Sequence, residues 1–370
     1  MLIFTVLFYT FIFIISVQLI FYGIIFGRFL SFKQKKKSQL EHPISIIICA
    51  KNEAQNLKNN LPKILSQSYK QFEVVLINDS STDKTLKVME GFKKEHSNIK
   101  IVNVKPIEAF WGNKKYALTL GIKAAKYNHL LFTDADCVPN SKNWISEMSG
   151  QFDNQKSLVI GYGAYQKTKG SLLNLLIRFE TFITAVQYFS YAHIGEPYMA
   201  VGRNLAYTKD LFYEAKGFMS HMKIASGDDD LFVNEIATNK NTAICISTES
   251  FTHSIPKKTF KTWLLQKRRH ISTANHYKSK HKIALGLFYI SQVLFWILAI
   301  TLMAVMHQWQ IVIVLIALRF IVQYSVLYGI AKKLTEKDLV LYLPFLEIVL
   351  IVIQFFIFIK NLSSKPTHWK

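Results

Sequence analysis

Two aspartates separated by one residue, Asp134 and Asp136, end the apolar run of residues 130–133. In a strand, side chains at positions i and i+2 point to the same side, so both carboxylates leave the tip of a buried strand together. Two carboxylates on one side repel each other unless a cation lies between them. The pair is therefore a candidate ligand set for Mg²⁺ or Mn²⁺, although aspartates are also common in ordinary turns.

Three consecutive aspartates form a second group that could do chemistry. Asp228, Asp229 and Asp230 lie in the segment SGDDDLF, and a solvated turn needs fewer acids than this. Clustered carboxylates of this kind are candidates for proton transfer. The residues alone do not rank the three acids.

A cationic group follows in the segment QKRRH, which contains Gln266, Arg268 and Arg269. The planar fork of an arginine suits the geometry of a diphosphate. Phe260 and Trp263 precede the segment at helical spacing, which favours an amphipathic helix at a membrane surface. Both interpretations can hold for one helix.

The elements that must position these groups alternate between strands and helices. Short apolar runs rich in β-branched residues begin near residues 44, 72, 99 and 130, with helical patterns between them. This alternation predicts an α/β domain with a mixed, mostly parallel sheet. Three of the runs end in polar residues, and ligands of open α/β sheets bind at the carboxyl ends of strands. The sequence has no glycine-rich phosphate loop, so a divalent cation held by carboxylates is the natural partner for phosphates.

Taken together, the motifs resemble those of the family 2 glycosyltransferases. Their order and spacing match across roughly residues 40–275. The motifs that carry the resemblance are CAKNEA, VVLINDSSTDKT, TDAD, SGDDDLF and QKRRH. The resemblance implies a GT-A (Rossmann-like) nucleotide-sugar-binding domain.

The resemblance also implies roles on the donor side of the site. Glu53 and Asp79 would contact the base and ribose of the nucleotide, and Lys114 would lie beside the nucleotide or its phosphates. Asp134 would orient the donor and the metal, and Asp136 would be the direct ligand of Mg²⁺ or Mn²⁺.

By the same resemblance, Asp229 would be the catalytic base, with Asp228 second, in a displacement that inverts the anomeric configuration. Gln266 and Arg269 would bind the donor diphosphate, and His270 would stand on the acceptor side, where the family has a tryptophan.

Gly202, Arg203 and Asn204 are further candidates for the acceptor side, because their segment resembles the one that shapes this side of the cleft in the family. A helix N-cap at Asn204 or Thr208 explains part of this pattern equally well. Residues 171–195 predict a helix that either guides a lipid acceptor at the interface or belongs to the core.

Apolar segments predict a membrane anchor around this domain. Basic residues from Arg28 onward place the polar region in the cytoplasm by the positive-inside rule. The predicted division is a transmembrane helix at 1–30, a catalytic domain at 40–250, a basic amphipathic segment at 251–282, and helices within 283–360 at 283–306, 309–330 and 339–359.

The last of these helices is the least regular, because it contains Pro344 and Glu347. A crossing would leave Lys360 outside, against the positive-inside rule, and a re-entrant path is the alternative. Arg319 and Glu347 would be costly as isolated charges in lipid, so we expect them to pair.

The charge distribution indicates the kind of binding partner, and the cysteine content indicates the compartment. The net charge is +21, from 45 basic and 24 acidic residues, and much of the excess flanks the apolar segments. This placement indicates anionic lipid rather than nucleic acid as the partner. The 3 cysteines are too scattered for a disulfide framework and fit a reducing cytoplasm.

The sequence thus predicts an inverting, metal-dependent glycosyltransferase in a bacterial-type inner membrane, with several membrane helices and a cytoplasmic catalytic domain. Its donor would be a UDP or GDP sugar, with UDP preferred, and its acceptor a membrane lipid or a lipid-linked or glycan acceptor. A processive polysaccharide synthase with an export channel and a catalytically silent nucleotide-binding scaffold are the alternatives.

Overall fold

A seven-stranded mixed sheet forms the centre of the polar region in the computed structural model, which describes residues 2–35, 41–105, 114–224 and 226–364. The strand order is β3-β2-β1-β4-β8-β6-β9, and a second sheet has the order β5-β10-β7. The strands are β1 Ile44–Ala50, β2 Phe72–Asp79, β3 Ile99–Val104, β4 His129–Phe132, β5 Cys137–Pro139, β6 Leu158–Ile160, β7 Gly163–Tyr165, β8 Leu205–Thr208, β9 Thr242–Ile244 and β10 Thr252–Ser254.

Parallel pairing joins β3, β2, β1 and β4, whereas β8 is antiparallel to both β4 and β6. This arrangement confirms the predicted mixed, mostly parallel sheet. In the large sheet the tips of β1, β2 and β4 point to one edge, because parallel strands end on the same side.

Helices cover both faces of the sheet, which explains why the central strands are continuous apolar runs. All seven residues of β1 are buried. Ile44, Ile46 and Ile48 pack into one core cluster, while Ile47 and Cys49 pack into the other on the opposite face. A strand buried on both faces needs apolar side chains at every position.

The helices are α1 Leu2–Leu19, α2 Gly27–Ser31, α3 Ala54–Leu65, α4 Thr85–Glu95, α5 Lys114–Ala124, α6 Trp144–Ser149, α7 Leu172–His193, α8 Lys209–Glu214, α9 Asp230–Ile236, α10 Phe260–Thr273, α11 Ser279–Ala304, α12 Trp309–Lys333 and α13 Leu343–Ser363. A π-helical segment, Ile20–Phe26, joins α1 to α2, and a 3₁₀ helix, Lys337–Tyr342, precedes α13.

Four helical stretches are long and apolar enough to cross a membrane by length and composition, namely Leu2–Ser31, Ser279–Ala304, Trp309–Lys333 and Lys337–Ser363. They enclose a buried polar network. Arg319 forms an ion pair with Glu347, which confirms the predicted pairing, and Gln323 donates to Glu347 at 2.9 Å. Gln18 and Tyr22 complete the network from the first helix. Mutual satisfaction of these groups removes the cost of isolated polar atoms in an apolar bundle.

The predicted helix at 171–195 is α7, and it packs in the core of the α/β domain and against the segment before α13. Phe182 and Phe189 of α7 are buried in the core of the α/β domain. Arg178 of the same helix pairs with Glu336, next to the 3₁₀ helix before α13, and both side chains are almost fully buried. Helix α7 therefore fixes the α/β domain to the apolar helices.

Candidate active site

The loops that follow β1 and β2 are joined to each other at the edge of the sheet. Asn52 has a φ of +56°, a conformation that asparagine tolerates better than most residues. Its Oδ1 accepts from the backbone N–H of Thr82 at 2.8 Å, and the backbone N–H of Glu53 donates to Thr85 Oγ1 at 2.8 Å. These bonds hold Glu53 at the mouth of the site. Asp79, at the end of β2, is buried.

Three potential ligand atoms converge after β4. The carboxylates of Asp134 and Asp136 and the thiol of Cys137 offer atoms within 4.8 Å of one another. Burial and then the charge of Asp134 raise the pKa of Asp136, which is the environment that a bound cation would relieve. Burial also raises the pKa of Cys137 far above its ordinary value, so its thiol stays protonated and lies 2.9 Å from Ser254 Oγ. The two aspartates fit a hard cation such as Mg²⁺ or Mn²⁺, and the thiol does not.

Lys114 links this acidic pair to the second acidic group. Its Nζ lies 3.2 Å from Asp134 Oδ1 and 2.8 Å from Asp228 Oδ2. Burial alone would lower the pKa of Lys114, but the two carboxylates outweigh it and raise the pKa well above its ordinary value. Lys114 is therefore a fixed positive charge between the candidate cation site and Asp228.

The neighbouring Lys115 has a role that the sequence did not reveal. Its Nζ donates to the backbone carbonyls of His221, Ile224 and Ser226 at 2.8, 2.8 and 2.7 Å. Burial lowers the pKa of Lys115 to about 8. Lys115 thus holds the loop that leads into the three aspartates. The sequence alone does not show which of the two adjacent lysines has this role and which pairs with Asp134 and Asp228.

The three consecutive aspartates occupy three different environments. Asp228 pairs with Lys114; burial alone would raise the pKa of Asp228, but the lysine outweighs it and lowers the pKa. The buried Asp230 accepts hydrogen bonds from the hydroxyls of Thr273 and Tyr277, so it anchors α9 to the end of α10 and to the chain that follows.

Asp229 combines a fixed position with a raised pKa. One carboxylate oxygen accepts from the backbone N–H of Gly202 at 2.7 Å, and the other accepts from that of Asp230 at 2.8 Å. Burial, followed by the charges of Asp228 and Asp230, raises the pKa of Asp229 to about 7. A carboxylate with this pKa can take up a proton near neutral pH, as a general base must.

Gly227 makes this arrangement possible. Its φ is +96°, and a Cβ at this position would lie 2.5 Å from Leu231 Cδ1. Only glycine tolerates this combination of backbone angle and close approach. The turn it forms places Asp228 and Asp229 at the start of α9.

The segment predicted for the acceptor side divides into two kinds of residue. Gly202 and Arg203 line the site cavity. Arg203 lies over the ring of Tyr165, with its Cζ 4.3 Å from the ring centroid. Asn204 is 0% exposed; it accepts from Trp144 Nε1 at 3.0 Å and donates to the carbonyl of Ser250 at 2.8 Å. Asn204 thus joins α6 to the segment before β10 and lies outside the described cavity lining, so its predicted place on the acceptor side has no support from the cavity.

The helix-cap alternative for this segment is correct at one of its two positions. Thr208 caps α8, because its hydroxyl accepts from the backbone N–H of Leu211 at 3.3 Å. Asn204 precedes strand β8 and caps no helix.

Helix α10 presents its predicted residues to the same cavity. Gln266, Arg269 and His270 line it, and Gln266 Oε1 has no hydrogen-bond partner within the described part of the chain. Arg268 points the other way and donates to Asn361 Oδ1 at 3.0 Å. The helix is amphipathic as predicted, but Trp263 is buried in the core rather than placed at the surface.

A cavity of about 1200 Å³ joins these groups. Its polar end is lined by Glu53, Lys114, Asp134, Asp136, Asp228 and Asp229. Its other end is lined by residues of α11 and α13, including Gly286, Tyr289, Ile351 and Phe355. Asp79 does not belong to the described lining, so its predicted contact with the nucleotide has no support from the cavity.

Comparison with known proteins assigns the part of the chain that carries the first half of this site to a family. Residues 45–220 match the family Glycosyl transferase family 2. The chain contains a family 2 glycosyltransferase domain. The family resemblance of the motifs is thereby confirmed for this stretch of the chain.

Named relatives share parts of the glycosyltransferase domain. A poly-β-1,6-N-acetyl-D-glucosamine synthase of Staphylococcus epidermidis is 36% identical over 104 residues, which cover 28% of this chain and 24% of the relative. A 4,4'-diaponeurosporenoate glycosyltransferase of Staphylococcus haemolyticus is 29% identical over 127 residues, 34% of this chain and 33% of the relative. The match thus spans only a quarter to a third of these relatives.

A solved structure shares the architecture over most of the chain. The mannosyltransferase of Pyrobaculum calidifontis in complex with GDP-Man and Mn²⁺ aligns with a TM-score of 0.59 and 17% identity, over 90% of this chain and 98% of the other. This likeness confirms the predicted GT-A fold.

Proposed function

We propose that this protein transfers a sugar from a nucleoside-diphosphate sugar to a lipid-borne acceptor, with inversion at the anomeric carbon, at the cytoplasmic face of a bacterial cell membrane. The observation that carries the proposal is the continuity of one cavity from the aspartates to the apolar residues of α11 and α13. A soluble acceptor would not require a site that opens between apolar helices.

The donor would bind at the polar end of the cavity. Asp134 and Asp136 would hold Mg²⁺ or Mn²⁺, which when bound offsets charge on the departing diphosphate. Arg269 and Gln266 supply donors from α10, and Glu53 lies at the mouth for contact with the nucleoside. A UDP sugar is the first donor to test and a GDP sugar the second.

The acceptor would be activated by Asp229. Its carboxylate takes the proton of an acceptor hydroxyl while the hydroxyl oxygen bonds to the anomeric carbon and the bond from that carbon to the diphosphate oxygen breaks. The nucleoside diphosphate leaves with the electron pair, on the face opposite the attack, so the configuration inverts. The N–H of Gly202 keeps the carboxylate in place during this step.

A processive synthase with an export channel is the second candidate, and the polysaccharide synthase among the relatives is the reason to test it. Packing of the described helices argues against a channel within one chain. Beyond the polar network, Phe11, Phe295, Leu302 and Val312 are fully buried and fill the bundle. These side chains are packed against one another, so this part of the bundle offers a glycan no open route.

The test is transfer from a panel of radiolabelled nucleotide sugars by the full chain in membrane-lipid extract with Mn²⁺. We expect nucleotide release together with one labelled sugar per acceptor in the organic phase. A ladder of water-soluble products would favour the processive synthase. Nucleotide binding without release from any donor would favour the silent scaffold.

A further inference from the structure

We propose that α13 does not cross the membrane but re-enters it, and that the groove between α13 and α11 holds the hydrocarbon chain of the acceptor lipid, which enters sideways from the leaflet next to the catalytic domain. The groove as an acceptor site rests on the proposed function. The path of α13 stands on contacts alone.

Contacts along α13 give its direction. Gln292 of α11 donates to Glu347 at 3.3 Å, and Tyr289 of α11 donates to the carbonyl of Ile351 at 3.2 Å. Further along, Asn361 is bonded to Arg268 of α10 by two hydrogen bonds of 3.0 Å. As the chain advances along α13, its partners move backward through α11 into α10. Helix α13 is therefore antiparallel to α11.

Helix α11 starts at the catalytic domain, and this shows which end of α13 lies near that domain. The backbone N–H of Lys278, just before α11, donates to Asn234 Oδ1 at 2.9 Å. At about 1.5 Å per residue, Gln292 lies about 20 Å from Ser279 and about 14 Å from Ile283, where the apolar part of α11 begins, so it lies near the middle of a bilayer core about 30 Å thick. Helix α13 thus begins at mid-depth and ends beside the catalytic domain.

The two ends of this path fit re-entry. The chain leaves the catalytic domain at Glu336, which is held by Arg178, and descends through the 3₁₀ helix before α13. Pro344 stands in the first turn of α13, where a missing N–H costs nothing. Lys360 then lies on the side of the catalytic domain, and the conflict with the positive-inside rule disappears.

The space between the two helices is suited to a hydrocarbon chain. A Cβ added to Gly286 would meet no atom within 4 Å. Ile290, Phe355 and Phe358 line the cavity and are also 54%, 55% and 55% exposed, so they form an open apolar lip on helices at membrane depth. Such a lip matches lipid rather than a sugar chain. The groove is continuous with the aspartates, so a chain within it would present its head group to Asp229.

The polar network limits the depth of the groove. Tyr22, Gln292, Gln323 and Glu347 line the far end of the cavity and bond to one another. An acceptor chain longer than about 20 Å, the rise of α11 to Gln292, must therefore leave through the lip into the surrounding lipid.

Gly286→Phe in the full-length protein tests the groove, because the ring would fill the open space on α11. The matched control is Leu287→Phe, since Leu287 neighbours Gly286 but lies outside the cavity lining and faces outward. Transfer to extracted membrane lipid is measured alongside UDP binding and slow hydrolysis of the donor in detergent. We expect Gly286→Phe to reduce lipid transfer at least about tenfold with UDP binding and hydrolysis retained, and Leu287→Phe to match wild type.

Equal lipid transfer by Gly286→Phe and wild type would overturn the groove while leaving the proposed function intact. Failure of wild type to release nucleotide from any donor would instead overturn the proposed function. The path of α13 has its own test in the complete chain with green fluorescent protein or alkaline phosphatase fused after Lys370. We expect a fluorescent and phosphatase-negative pair; active phosphatase would show that α13 crosses and would overturn the re-entrant path.

Discussion

Replacement of Asp229 by asparagine removes the proton acceptor and keeps one of the two backbone hydrogen bonds that its side chain accepts. Asparagine is as good an N-cap as aspartate, and its Oδ1 can still accept from the N–H of Asp230, while its Nδ2 cannot accept from the N–H of Gly202. It cannot take a proton at neutral pH. General base catalysis contributes about 10²–10⁴-fold, so we expect kcat for the Asp229→Asn variant to fall by that factor while nucleotide affinity changes only a few-fold.

The pH dependence of kcat/KM tests the same role of Asp229 in a second way. With a pKa of about 7, about one tenth of Asp229 is deprotonated at about pH 6 and about nine tenths at about pH 8. We therefore expect kcat/KM of the wild type to rise about tenfold across this range, and the residual activity of Asp229→Asn to stay flat. Asp228 cannot produce this rise, because Lys114 lowers its pKa.

The same raised pKa has a consequence for stability. The folded protein holds the proton of Asp229 more tightly than the unfolded chain does, so this residue favours folding most at low pH and less as the pH rises from about 4 through about 7. Asparagine does not ionise, so the variant does not lose this stability as the pH rises. Thermal denaturation should show a fall in Tm between about pH 4 and about pH 8 that is larger for wild type than for Asp229→Asn.

The assay is steady-state nucleotide release from the best donor, in bilayers, across the pH range, for both proteins at matched concentration. Two results would refute the reasoning: more than about a tenth of wild-type kcat in Asp229→Asn, or a wild-type midpoint near pH 4, the ordinary range of an aspartate. Either would mean that another group takes the proton.

Three further substitutions test other parts of the molecule. Asp136→Asn removes the carboxylate assigned to the cation, so metal-stimulated nucleotide release should fall at least about tenfold and excess Mn²⁺ should not restore it; full activity at the same Mn²⁺ concentration would contradict the assignment. Arg178→Ala leaves the buried Glu336 without its strongest partner and should lower the free energy of unfolding by about 3–5 kcal/mol. Adding Glu336→Gln should restore part of this loss. An unchanged Tm in the single variant would show that the ion pair between Arg178 and Glu336 does not stabilise the fold. Arg268→Ala removes hydrogen bonds to the end of α13, so lipid transfer should fall about tenfold with UDP binding retained; unaltered transfer would show that this contact does not hold the groove.

Features encoded by local pattern could be predicted from the sequence. The apolar strands and the polar residues at their tips follow from short-range periodicity, and the order of motifs was enough to indicate the fold. The pairing of Arg319 with Glu347 could be predicted because two isolated charges at similar depth in lipid leave few alternatives.

Features that depend on distant contacts could not be predicted. Nothing within the three consecutive aspartates indicates which of them is the base. Asp230 differs from the other two only because it bonds to Thr273 and Tyr277, far along the chain. Asn204 became structural because Trp144 donates to its side chain, a contact between segments 60 residues apart. Hydropathy is the same for a crossing helix and for a re-entrant one, so the path of α13 became visible only through its partners.

The central claim is that the aspartates at the strand tips serve a lipid acceptor within the bilayer. The most direct measurement is the partition of radiolabel after incubation of the full chain with a labelled nucleotide sugar, Mn²⁺ and membrane lipids. We predict Mn²⁺-dependent label in the organic phase that is lost in Asp229→Asn. Label that stays in the aqueous phase as polymer or free sugar, with nucleotide released at the same rate when lipid is absent, would contradict it.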